Sequence, residues 1–239
     1  MELRHWQDLL TGANLAFIAQ GLGATLLLSL ASIVISFVVG LAFALGRISR
    51  LRVIRWPATA YVEGVRALPV LLLIVFFGVK GSSLLQPIFG EDFELPTFWA
   101  GVLGLSMYTS SVLAEIIRAG IVSLPRGQTE ASRALGLSYP QTMRHVILPQ
   151  ALRAMVPAMM AQLTTIIKDT SLVAALGVSE MLHNGQIIYN RFNNPVETFV
   201  LIALVYFVVC FALSQASRRL ELGRAPRKVR EIQLRDQAA

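Results

Sequence analysis

Lys168 and Asp169 are adjacent ionisable residues inside an otherwise apolar stretch, and Thr164, Thr165, Thr170 and Ser171 surround them with hydroxyls. A lysine or aspartate at the centre of a membrane helix costs roughly 2.5–3.5 kcal/mol on insertion scales. Two of them facing lipid would be hard to tolerate, so the stretch reads as polar interior. Two roles fit it. The six residues line a path or its gate, or Lys168 and Asp169 form structural ion pairs with neighbouring helices. Adjacent residues on a helix point in different directions, so pairing with each other is not expected. Glu63 with Arg66 and Glu115 with Arg118 are each spaced i, i+3, which sets each pair on one helix face. Such pairs suit interfacial anchoring and pairing between helices.

Catalytic chemistry is not expected. There is no GxxxxGK[ST] loop to hold a nucleotide, no HExxH, no Cys/His cluster with metal spacing and no GxSxG elbow. His5, His145 and His183 are isolated, and Cys210 is a lone cysteine in an apolar run. No catalytic residue, metal ligand or cofactor is therefore assigned to the chain.

The elements that position these residues follow from composition. The 239 residues are 55% hydrophobic and 15% charged, with a mean hydropathy of +0.62. A soluble domain carries roughly 25% charge. The net charge is +7, but the basic residues flank apolar runs with almost no aromatics between them. Membrane-flanking charge fits better than a nucleic-acid partner.

About five apolar stretches approach the roughly 20 residues a membrane helix needs. They run from about Leu22 to Leu45, Ala58 to Val79, Phe98 to Ile117, Ala154 to Leu176 and Thr198 to Ser214. Arg47, Arg50, Arg52 and Arg55 lie between the first two, and Arg118, Arg126, Arg133, Arg144 and Arg153 between the third and fourth. Arg218, Arg219, Arg224, Arg227, Lys228 and Arg230 follow the fifth. The alternate links are different: Gly81 to Pro96 has Glu91, Asp92 and Glu94 and no basic residue, and Ser179 to Glu197 has only Arg191. All basic segments fall on one side of the membrane if the number of spans is odd. The expectation is an all-α integral membrane protein with the N-terminus outside and the C-terminus inside.

Residues 1–20 form an external or interfacial segment, with Trp6, Leu9, Leu10 and Phe17 suited to an amphipathic helix. They lack the pattern of a cleavable signal peptide. Residues 21–217 form the membrane domain and 218–239 a solvated tail. Gly40, Gly46, Gly101 and Gly104 suit close helix packing, and Pro69 and Pro157 permit kinks within spans.

The link between spans three and four, about residues 118–153, is too structured for a linker. Gln128 to Leu135 is a good helix former, with Glu130 in its first turn. Gly136 follows as a natural C′ residue. Ser138 with Gln141 three residues on is a capping box, and a second helix runs to about Leu148 and stops near Pro149. A rigid helix–glycine–helix unit on the basic face suits a membrane protein that receives a push from a soluble partner.

Glu130, Ala131, Ser132, Gly136, Val146, Leu148 and Pro149 resemble the EAA motif of ABC importer permeases, with serine for an alanine and valine for an isoleucine. Tyr61 to Arg66 with Leu68-Pro69, Glu115 to Gly120, Gly127-Gln128, Leu148 to Ala151 and Lys168 to Leu172 are similar to permeases of the histidine, glutamine and glutamate/aspartate branch. Phe76-Phe77-Gly78 and Arg153 to Pro157 lean toward glutamate/aspartate.

The resemblance implies a type I importer permease fold in a bacterial cytoplasmic (inner) membrane. The seven motif residues would dock into a cleft on a separate ABC ATPase subunit, which would hold ATP and Mg. Further partners would be an extracytoplasmic amino acid binding protein and a second permease, identical or similar. Amino acids are zwitterions, so Lys168 and Asp169 would offer one charge to each end of the substrate. A self-sufficient secondary transporter or channel is the alternative. It would usually show more spans or an inverted repeat, and neither is visible.

Overall fold

The computed structural model describes residues 3–224. From residue 225 on, the tail expected in the cytoplasm lies outside the described residues. Five described helices are long and apolar enough to cross a membrane. No strand occurs among the described residues.

Helix α1 (Leu3–Leu9) is short and leads to α2 (Gly12–Ile48), which opens on Thr11 as N-cap and runs for 37 residues. At about 1.5 Å per residue it far exceeds a hydrocarbon core of roughly 30 Å. It begins within the segment assigned to the outer interface. Leu9 is fully buried with Ile18, Met181, Ile188 and Ile202, so α1 is held on the protein.

The expected second span is two helices. Helix α3 (Arg52–Arg66) ends at Ala67, and α4 (Val70–Phe89) starts after Pro69. Proline disfavours helical geometry in the residue before it and lacks an amide to continue the ladder. Pro69 is thus a break between helices rather than a kink within one. Glu63 and Arg66 sit on the amphipathic α3, before the span. Residues 81–89, expected in a loop, complete α4, and the acidic link shortens to Gly90 to Pro96.

Helix α5 (Thr97–Val122) is the central element. Against it lies a stripe of small and hydroxylic residues on α2, including Ser32, Ser36 and Gly40. Ser36 Oγ donates to Ser106 O at 3.2 Å, and Ser106 Oγ to Ser32 O at 3.4 Å. A Cβ on Gly40 would stand 2.8 Å from Ser110 O, and one on Gly104 2.6 Å from Ile74 Cα of α4. Small residues therefore set these helix contacts, as is usual where water supplies no hydrophobic drive.

After α6 (Arg126–Ala134) and α7 (Tyr139–Thr142) comes a π turn over Met143–Ile147, and α8 (Leu148–Asp169) continues directly from it. The expected stop at Pro149 does not occur. A proline in a helix lacks a donor and crowds the carbonyl four residues back. The π turn ends at Ile147, two residues before Pro149, and Pro149 occupies the first turn of α8, where a missing amide is tolerated. Pro157 lies inside α8 as expected.

Beyond Asp169 the chain tightens into a 3-10 helix, Thr170–Leu176, closed by Gly177 at φ 74°. The link expected from Ser179 to Glu197 holds a further helix, α9 (Met181–Phe192). Helix α10 (Pro195–Arg224) supplies the last span.

Candidate functional site: helical loop, ion-pair hub and polar strip

The loop between α5 and α8 is helix–turn–helix, and its turn is fixed by hydrogen bonds. Gly136 N–H donates to Arg133 O at 3.0 Å and Leu137 N–H to Ser132 O at 3.2 Å, the two bonds of a Schellman motif. Gly136 sits at φ 81°, a conformation that costs other L-residues about 1–2 kcal/mol. Gln141 Oε1 accepts the Ser138 amide at 2.8 Å, as expected for the capping box. The first helix starts at Arg126, two residues earlier than expected, because Pro125 serves as its N-cap.

Glu130 and Ala131 are exposed, and Leu135 beside the turn is 83% exposed. Ser132 is buried and its hydroxyl donates to Gln128 O at 2.6 Å. Gln150 Nε2 reaches Gln128 Oε1 at 3.1 Å and Val146 O at 2.8 Å, tying the two arms together. Val146 and Leu148 pack on a buried cluster containing Ala44, Ala114, Ile117, Ile147 and Met155. The loop thus presents one exposed edge while its other side is continuous with the core of the spans.

Beside that core lies an ion-pair hub. Arg47 Nη1 is 2.6 Å from Glu115 Oε2 and Arg47 Nη2 is 3.2 Å from Glu63 Oε1. Arg118 Nε donates to Glu115 Oε2 at 3.1 Å. The pair Glu115 with Arg118 forms as its spacing suggests. Glu63 instead pairs with Arg47, and Arg66 is exposed outside the hub. Sequence reasoning missed Arg47, whose side chain is only 13% exposed. Its position at the end of an uncharged 24-residue run looked like simple membrane flanking. Tyr61 completes this end, stacked on Phe43 at 3.9 Å between ring centroids and bonded to Ser110 Oγ at 2.8 Å. Burial pushes the Tyr61 hydroxyl above its ordinary pKa, so it remains protonated.

Arg47 holds three helices together through two carboxylates. Charged hydrogen bonds contribute roughly 1.5–3 kcal/mol each, and the exposed Glu63 contact much less. Arg47→Met is therefore expected to destabilise the protein by about 2 kcal/mol, read as a lowered melting temperature in detergent. Arg66→Met should shift it by no more than about 0.5 kcal/mol. Equal effects would show that the hub carries no special weight.

The polar strip divides into two faces. Thr164, Thr165 and Lys168 share a cavity of about 270 Å³ with Ser214 and Ser217 of α10. Lys168 is exposed and has no ion pair among the described residues. Thr170 is fully buried, donating to Ile167 O at 2.7 Å, so it faces the protein rather than this cavity. Asp169 is half-buried at the junction of α8 with the 3-10 turn. Each hydroxyl of the strip donates to its own backbone: Thr164 to Met160 O at 3.1 Å, Thr165 to Ala161 O at 3.2 Å and Ser171 to Lys168 O at 2.7 Å. They keep lone pairs to accept with. Ser214 and Ser217 were missed, although their i, i+3 spacing at the end of the last span was a usable signal.

A second omission is Glu180, fully buried in the supposed outer link. It caps α9 by accepting His183 N–H at 2.7 Å, and takes Tyr206 OH at 3.2 Å and Thr25 Oγ1 at 3.3 Å. It joins α2, α9 and α10.

Residues 36–223 match the family described as "binding-protein-dependent transport system inner membrane component". The chain belongs to that family, a multi-pass protein of the inner membrane. It is 39% identical over 212 residues to the probable glutamine ABC transporter permease protein GlnP of Bacillus subtilis, covering 87% of this chain and 94% of the relative. It is 37% identical over 224 residues to the glutamate transport system permease protein GluD of Corynebacterium glutamicum, covering 89% and 78%. Among solved structures, the crystal structure of an amino acid ABC transporter with histidines aligns at TM-score 0.75 and 32% identity, over 86% of this chain and 93% of that one. An inward-facing MetNI methionine ABC transporter shares the fold at TM-score 0.67 and 22% identity, over 88% and 99%.

Proposed function

We propose that the chain is the transmembrane permease subunit of an ATP-driven ABC importer for polar amino acids, with glutamate/aspartate or glutamine as substrate. The rigid loop carries this reading. Its exposed Glu130, Ala131 and Leu135 form an edge for a separate ATPase subunit that holds ATP and Mg. Gly136 sets the bend, and Ser132, Val146, Leu148 and Pro149 transmit force into the core. An extracytoplasmic binding protein delivers substrate, and a second permease, identical or similar, completes the path. Thr164, Thr165, Lys168 and Asp169 line that path or its gate, with Ser171 at its margin and Thr170 supporting it from behind. Glu63, Glu115 and Arg118, gathered by Arg47, brace the end where coupling occurs, with Arg66 close by. The relatives named for glutamine and glutamate support the substrate class, and family membership disfavours a self-sufficient secondary transporter.

The orientation follows from the charge asymmetry: N-terminus outside, loop and tail inside. Cysteine at Glu91 should label from outside in intact cells, and cysteine at Arg52 should not. The reverse would invert the orientation. Reconstituted with its ATPase and binding protein, the complex should accumulate labelled glutamate, aspartate or glutamine only with ATP. Uptake of none of the three would overturn the substrate assignment.

A further inference from the structure

A cavity of about 600 Å³ opens at the basic end of the molecule, between the α2–α3 link and both arms of the loop. Leu45 and Ile48 form its apolar wall on one side, and Met143 and Leu148 on the other. Arg50, Arg133 and Arg144 also line it, and no acidic residue does. All three arginines are exposed, and none joins an ion pair among the described residues. The hub, by contrast, consumes Arg47 and Arg118.

A volume of this size suits a small-molecule ligand, for which pockets run roughly 300–1,000 Å³. The chemistry of the walls asks for a ligand with an anionic head and an apolar body. Leu45 and Ile48 lie in the last turn of α2, at the basic end of an apolar span. We infer that this cavity binds an anionic phospholipid of the inner membrane. Its phosphate lies among Arg50, Arg133 and Arg144, and the first part of an acyl chain lies against Leu45, Ile48 and Met143. Basic pockets between membrane helices take such headgroups elsewhere by the same physics. A free phosphate would leave the apolar walls unused. A bound lipid would join the α2–α3 link to the loop, so loop stiffness would depend on membrane composition. The inference needs only membrane residence, and its failure leaves the transport reading intact.

The test is native mass spectrometry of the full chain in neutral detergent. The probes are phosphatidylglycerol, phosphatidylethanolamine with the same acyl chains, glycerol 3-phosphate and inorganic phosphate. One phosphatidylglycerol should remain per chain, with the zwitterionic lipid held much more weakly. The variant R50Q/R133Q/R144Q should lose affinity on the order of 100-fold, from roughly a factor of five per arginine. The variant R50K/R133K/R144K should retain most of it, which separates charge from misfolding. Arg191→Gln, outside the cavity, should leave it unchanged. Equal retention by the glutamine variant, or equal loss by both triple variants, overturns the inference. So does equal binding of the two lipids, or displacement by phosphate or glycerol 3-phosphate at equal concentration. Stoichiometric expulsion of the lipid by the ATPase subunit would instead assign the cavity to protein docking, and would overturn it too.

Discussion

Gly136→Val should cut ATP-coupled uptake tenfold or more in a permease that still inserts. The cost is conformational. A Cβ at Gly136 meets nothing within 4 Å, so no clash opposes the substitution. What opposes it is φ 81°, which costs an L-residue about 1–2 kcal/mol and a β-branched one more. The strain is relieved by unwinding the turn, which loses the bonds from Gly136 N–H to Arg133 O and from Leu137 N–H to Ser132 O. The exposed edge then no longer has a fixed direction relative to α8. Because the obstacle is φ alone, the substitutions should rank Asn, then Ala, then Val in increasing damage, since asparagine tolerates the left-handed region best. The measurement is uptake alongside ATPase activity in proteoliposomes. Undiminished uptake by the valine variant, or a ranking set by side-chain volume alone, would refute the account.

Lys168→Met should give the second large effect, without a loss of stability. Lys168 is exposed toward a cavity and lacks an ion pair among the described residues. An uncompensated lysine at membrane depth is costly by roughly 2.5–3.5 kcal/mol, so methionine of similar length should insert at least as well. The melting temperature should hold or rise. Uptake should fall tenfold or more if the ammonium receives the substrate carboxylate, while basal ATPase activity continues. A fall in melting temperature with poor assembly would instead mean that Lys168 pairs across to the second permease. Wild-type assembly and uptake would defeat both roles.

The long apolar runs made the five spans legible, and basic residues marked their ends. The turn of the loop was legible to single residues, because capping is local chemistry: Gly136, Ser138 and Gln141 each do what their side chains dictate without help from distant parts. Tertiary features were not legible. Pro69 carries the same local signal whether it kinks a span or separates two helices, and only the packing of α3 on α5 through Tyr61 decides. Pro149 gave a stop signal that the π turn overrides. Glu180 was invisible because its three partners come from Thr25, His183 and Tyr206, two of them far away in sequence. The choice of Arg47 over Arg66 as the partner of Glu63 likewise depends on where α2 ends.

Because the π turn lets α7 run into α8 without a stop, the loop and the polar strip share one shaft. From Leu148 to Lys168 that shaft is about 30 Å long at about 1.5 Å per residue, about the thickness of the hydrocarbon core. Such a shaft has an angular phase as well as a length. Each residue turns it by about 100°, so one inserted residue midway would swing Lys168 away from Ser214 and Ser217 while leaving the loop untouched. Seven inserted residues would nearly restore the angle but displace the strip by about 10 Å along the membrane normal. The spacing between Leu148 and Lys168 is thus a timing relation. It sets which way the polar strip faces when the far end of the shaft is twisted.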